Sequence, residues 1–189
     1  MNVIEEHVRA ILIELGYDPD TNPSLKDTPR RVADMLRELT AKDPDDDRMV
    51  LFDVEGYNDI TIERDIPYFT LCEHHLLPFY GTVTIAYLTK GRIFGVSKLA
   101  RIVRKNSRGL NTQEVMTHRI ADDVYKALDN DEDSGVMVIS TGIHMCQIMR
   151  GVKTSGQVIA SAIRGVMMDP KIKSEVLSLV NLNDGSRYA

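Results

Sequence analysis

Residues 61–88 read TIERDIPYFTLCEHHLLPFYGTVTIAYL. Both flanks of this stretch have the composition of strands. In the second, Val83, Ile85 and Tyr87 alternate with Thr82, Thr84 and Ala86, the period of two that turns one row of side chains to a core and the other away from it. Between the flanks, Cys72, Glu73, His74 and His75 set a thiol, a carboxylate and two imidazoles side by side, in a chain with only two cysteines and five histidines.

Downstream, Gly91 marks a turn before a further strand, RIFGV. Two helices follow: SKLARIVRKNSR, with Leu99, Ile102 and Val103 on one side, and TQEVMTHRIADDVYKALDN, with Met116, Ile120, Val124 and Leu128 four apart. The apolar run GVMVIST predicts a buried strand that leads into GIHMCQIMRG, with VIASAIRGVM as its hairpin partner and DPKIKSEVLSLV as a closing helix. Upstream, Ile4, Val8, Ile11 and Leu15 recur at helical spacing before Gly16, and Thr28 is the expected N-cap of a second helix that carries Pro29 at its first position. The charged segment AKDPDDDR reads as a linker, which divides the chain into a helical arm with linker, 1–47, and a main domain, 48–189. Helices, two strands, two helices, two strands and a helix make an α+β pattern.

The composition is that of an ordinary globular chain of 189 residues, 43% hydrophobic and 27% charged, and no apolar run approaches the roughly 18 residues that suggest a membrane span. The N-terminus MNVIEEHVRAILIELG has acidic residues ahead of its apolar ones and no small-residue cleavage pattern, so the expected location is the cytoplasm, where thiols stay reduced. A formal net charge of −5 argues against nucleic acid as a partner, and any anionic ligand needs a local basic cluster.

Cys72 and His75 form a Cys-x-x-His pair that can fold onto one metal, and zinc favours such sulfur and nitrogen ligation. The other cysteine, Cys146, follows His144 by two residues. A Cys/His/Cys set gives three protein ligands and leaves a fourth position for water, the pattern of catalytic zinc; the alternative is a pair of inert buried thiols. His74 and His144 are spare imidazoles, each within two residues of a candidate ligand and able to move protons near neutral pH. Lys98, Arg101 and Lys105 fall within one arc of their helix with Arg108 beside it, and Ser97 is a fitting N-cap, so basic side chains and helix N–H groups can converge on phosphate, with Arg150 adding charge. The competing reading is a solvated basic face. Gln113 and Glu114 open the next helix; the carboxylate either complements that helix's N-terminus or accepts from the paired donors on guanine's Watson–Crick edge.

CEHHLLPFYG, GVSKLARIV, TQE and HMCQIMRGV, with DTPRRVADM in the N-terminal arm, closely resemble the GTP cyclohydrolase I family, over about Asp27 to Val180. The resemblance implies a tunnelling fold, an antiparallel sheet with two helices on one face, assembled as a homodecamer of two five-membered rings with active sites where subunits meet. It implies zinc-dependent opening of the guanine imidazole ring of GTP at carbon 8, formate release, ribose rearrangement and closure to 7,8-dihydroneopterin triphosphate. Carried over, Cys72, His75 and Cys146 are zinc ligands and His74 and His144 transfer protons. Glu114 holds the guanine edge with Gln113 beside it, Ser97 assists the ribose rearrangement, and Lys98, Arg101 and Arg150 grip the triphosphate.

The chain departs from the family pattern at Gly109 and Asn111, where a glycine in or at the end of the basic helix is expected to loosen it, and near Gln157, where a lysine and two hydroxyls are missing. A non-catalytic, zinc-containing, ring-forming nucleotide-binding module and a cyclohydrolase of altered guanine nucleotide preference are the alternatives. The zinc nucleobase deaminases expect a C-x-x-C that this chain lacks.

Overall fold

The computed structural model describes residues 3–42 and 50–181. Most of the expected linker AKDPDDDR lies outside the described residues. Two compact units are present, Met1–Ala41 and Lys42–Ala189.

In the first unit, α1 (Val3–Glu14) and α2 (Thr28–Thr40) are amphipathic helices. Thr28 is not the N-cap of α2: Asp27 holds that position without a side-chain cap bond. The turn before the helix, closed by Thr28 N–H to Leu25 C=O at 2.9 Å, runs straight into it, so the first helical bond is already Arg31 N–H to Asp27 C=O at 3.0 Å. Pro29 and Ala33 are the buried residues of α2, whereas α1 buries none.

The second unit is built on a five-stranded sheet of order β5-β2-β3-β6-β7. Its strands are β2 (Ile60–Cys72), β3 (Pro78–Leu88), β5 (Leu110–Asn111), β6 (Gly135–His144) and β7 (Gln157–Gly165). A separate pair joins β1 (Leu51–Asp53) to β4 (Arg92–Phe94). All pairings are antiparallel except β5 beside β2. The sheet alternates as its sequence requires. Val83, Ile85, Val136 and Val138 join one core with Leu99, Ile102 and Val103 of α3 (Val96–Ser107) and Met116, Ile120 and Val124 of α4 (Gln113–Ala127). Their neighbours Ala86, Met137 and Ile163 face the other way, onto Met167 of a short 3₁₀ turn (Val166–Met168) and Val176 of α6 (Pro170–Asn181). Cover on both faces explains why residues 136–139, VMVI, are apolar without alternation.

The architecture is the α+β tunnelling fold with N-terminal helices. To the two helices expected on one face it adds α6 on the other, because Ile172, Leu177 and Val180 flank Val176 on a helix that begins immediately after the 3₁₀ turn. No helix among the described residues is long and apolar enough to cross a membrane.

Candidate active site

The β2–β3 hairpin turns through Glu73–Leu77, and that turn makes the Cys-x-x-His pair. Cys72 N–H donates to Leu77 C=O at 2.9 Å, while the Cys72 carbonyl accepts from His75 N–H at 3.3 Å and Leu76 N–H at 2.9 Å. Leu76 completes the reversal at φ +54°. From the other side, β6 ends on His144, which pairs in register with Phe79, and α5 (Met145–Ile148) carries Cys146 back towards the hairpin.

Among the described residues, Cys72, His75 and Cys146 form the one group of three whose ligand atoms lie mutually within 4.8 Å. His75 Nδ1 is 3.7 Å from Cys72 Sγ, and the two sulfurs are 4.0 Å apart. Zinc bonds of about 2.3 Å to sulfur and 2.0–2.1 Å to nitrogen place tetrahedral ligand atoms about 3.8 Å apart for two sulfurs and about 3.6 Å for sulfur and nitrogen. The trio therefore fits a metal. Burial and the neighbouring Cys72 sulfur push the Cys146 thiol up, while Arg150 partly opposes them; a bound cation relieves this by favouring the thiolates.

His74 stays near the trio without completing it, with Nδ1 3.9 Å from Cys72 Sγ. Its Nε2 lies 3.6 Å from Glu73 Oε1, which gives that carboxylate a neighbour to orient. His144 stacks flat on buried Phe79, with ring centroids 4.3 Å apart and planes 6° from parallel. Its Nε2 is 2.9 Å from Gln113 Oε1. Burial lowers the His144 pKa, and the Glu114 carboxylate partly raises it again.

The parallel pair β2–β5 brings Gln113 and Glu114 to this end of the sheet. Cys72 is in register with Asn111, and Glu73 N–H donates to Asn111 C=O at 3.1 Å. Thr112 then caps α4 by accepting from Val115 N–H. Gly109 lies beyond the end of α3 rather than within it. At φ +99° it turns the chain into β5, a conformation that costs glycine little, so the loosening expected of it does not occur. Asn111 is buried, and its side-chain amide donates to Thr70 Oγ1 at 2.9 Å. Both departures from the family pattern thus serve this connection. Gln157, the third, opens β7 opposite Ile143.

The model of the family described as GTP cyclohydrolase I matches residues 4–181. The chain belongs to the GTP cyclohydrolase I family. A GTP cyclohydrolase 1 of Hyperthermus butylicus is 40% identical, covering 97% of this chain and 93% of its own. Proteins of the same name from Dehalococcoides mccartyi and Geobacillus kaustophilus are each 42% identical, covering 94% of this chain and 95% of theirs.

The chain does not bring together every residue expected in a GTP cyclohydrolase I site. Ser97 is not the N-cap of α3; Gly95 is, because its carbonyl takes the first turn's bond from Lys98 N–H at 2.8 Å, and Ser97 lies exposed one step inside. The start of α3 borders a cavity with Thr61, Glu63 and Tyr87, at the end of β2 away from Cys72. The nine residue steps along the strand from Glu63 to Cys72 span roughly 25–30 Å, so Ser97 and Lys98 stand far from the Cys/His trio of the same chain. Arg101 lies one turn further along α3, and Lys105 is ion-paired to Asp123 of α4 at 3.3 Å. Exposed Arg150 follows α5 close enough to act on Cys146.

Sequence reasoning missed three residues that shape the site: Phe79, Ser140 and Thr117. Two signals were available. Ser140 is a hydroxyl within an apolar strand, on the same face as His144 by the period of two, and Thr117 stands one helical turn after Gln113.

Proposed function

We propose that this chain catalyses the hydrolytic opening of the guanine imidazole ring of GTP, with formate release and reclosure to 7,8-dihydroneopterin triphosphate. The observation that carries the reading is the Cys72–His75–Cys146 trio at zinc-compatible separations in a member of this family. Zinc held by three protein ligands supplies Lewis-acid activation of water near neutral pH.

The remaining chemistry belongs to the chain's own side chains. His144, held on Phe79 and by Gln113, exchanges protons with the opening ring, and His74, exposed beside Glu73, serves the second proton transfer. Glu114, exposed in the first turn of α4 and electrostatically coupled to His144, accepts from the guanine edge. Ser97 assists the ribose rearrangement, and Lys98, Arg101 and Arg150 bind the triphosphate. The distance of Ser97 and Lys98 from the trio of their own chain supports sites shared between copies, in a homodecamer of two five-membered rings. The helical arm and linker of 1–47 then precede a catalytic domain of 48–189. Two ligand thiols 4.0 Å apart favour a reducing cytoplasm.

The test is to incubate zinc-replete protein with GTP and measure formate together with the fluorescence of the oxidised pterin. Both are expected. GTP binding without either product would favour the non-catalytic module.

A further inference from the structure

Gln113 is 1% exposed, and its carboxamide is committed on both sides. Nε2 lies 3.1 Å from Ser140 C=O, 3.0 Å from Ser140 Oγ and 3.0 Å from Val158 C=O. Oε1 lies 2.9 Å from His144 Nε2. Two backbone carbonyls face one end of the amide and can only accept, so that end must be the NH₂ group; the reverse flip would set oxygen against oxygen.

The hydroxyls run in one direction too. Thr117 Oγ1 donates its single hydrogen to Gln113 C=O at 2.7 Å. The 2.6 Å contact between Thr117 Oγ1 and Ser140 Oγ therefore takes its hydrogen from Ser140, whose oxygen shares with the Ser140 carbonyl one of the two Gln113 Nε2 hydrogens. This pair ties the first turn of α4 to β6 and sets where Gln113 sits. Gly142 leaves the room, since a Cβ there would stand 2.4 Å from Gln113 Oε1.

We propose that this network locks His144 into a single tautomer, with Nε2 carrying the hydrogen donated to Gln113 and Nδ1 as the bare nitrogen that exchanges protons, and that Ser140 and Thr117 are the positioning residues of the lock. The inference rests on the reading of His144 as a proton-transfer residue, but the lock itself is observable without turnover. Because Gln113 Oε1 has no hydrogen to give, it can hold only a protonated Nε2; a neutral ring is then an acceptor at Nδ1 alone. Stacking on Phe79 opposes the ring flip that would set Cε1 in place of Nε2 against Gln113.

The test combines long-range proton–nitrogen NMR on histidine-labelled, zinc-replete protein with steady-state kinetics. Wild type should show His144 as the Nε2–H form. The Ser140→Ala/Thr117→Val double variant should show mixed tautomers, unchanged zinc content, and a kcat for GTP lower by about 10- to 100-fold with KM within about twofold, the response to a displaced but present group. The single variant Thr117→Ser, which keeps the hydroxyl, should retain both the wild-type tautomer and kcat. An Nδ1–H form in wild type overturns the proposal, as does a double variant with the wild-type tautomer and kcat. The Nε2–H form in wild type and mixed tautomers in the double variant, in a protein that releases no formate from GTP, uphold the lock and overturn the proposed function.

Discussion

Two sulfurs and an imidazole at 3.7–4.0 Å make different demands from an imidazole stacked on a phenyl ring, and single substitutions should separate them. Cys146→Ser should lose both zinc and turnover. His144→Ala should keep zinc at wild-type stoichiometry and lose about 10²–10⁴-fold in kcat, the usual worth of a positioned acid–base group. Metal analysis beside the formate assay checks this, and zinc loss in both variants would contradict the separate roles. Glu63 offers a stability test away from the trio. Burial holds its carboxyl above the ordinary value, so the folded chain binds that proton more tightly than the unfolded one. Stability from this group is present below the unfolded pKa and declines as pH rises through the folded value. Glu63→Gln should therefore raise the melting temperature at pH 7, modestly because water screens a half-exposed carboxylate, and leave it unchanged near pH 4. An equal gain at both pH values would rule out titration as the cause.

At the scale of elements, the connection from α3 through β5 to α4 decides whether Gln113 and Glu114 reach the hairpin. Asn111→Ala removes the buried amide that donates to Thr70 Oγ1, and should cost about 1–3 kcal/mol in urea unfolding while raising KM for GTP. Gly109→Ala tests the turn alone. A Cβ there meets no atom within 4 Å, so only the strain of φ +99° remains, about 1–2 kcal/mol. If Gly109→Ala is neutral, the turn does not depend on glycine. The sequence exposed β2, β3, β6 and both helices of the main core because each repeats its apolar residues over enough length to show a period. It exposed the Cys-x-x-His pair because the turn joining the ligands is local. It did not expose β5, which is two residues long and pairs in parallel with a strand 39 positions away, beyond the reach of any pattern. The starts of α2 and α3 were misplaced for a related reason: neighbouring backbone carbonyls, not cap side chains, set where the first bonds form.

Across the whole molecule, the candidate metal ties together the end of β2, the hairpin loop and α5, and its two cysteines are 74 residues apart in sequence. Removing it therefore releases one end of the sheet while the other keeps its packing, since Val138, Ile85 and Val124 are fully buried in the core shared by the sheet, α3 and α4. A ligand at a hundred times its Kd stabilises the state that binds it by about 2.7 kcal/mol, and a chain of this length responds by about 2–4 °C per kcal/mol. Chelation should accordingly lower the melting temperature by about 5–10 °C. Hydrogen exchange should quicken at Glu73, His75, Leu76 and Met149, whose amides donate to carbonyls of the hairpin, β5 and α5, and hold its rate at Val138. Re-adding zinc should reverse both effects, more completely as pH rises, because the Cys146 thiol that burial pushes up must release its proton before it can ligate. Uniform loss of protection would mean that the metal supports the entire fold; no change at Glu73 and His75 would mean that it binds elsewhere.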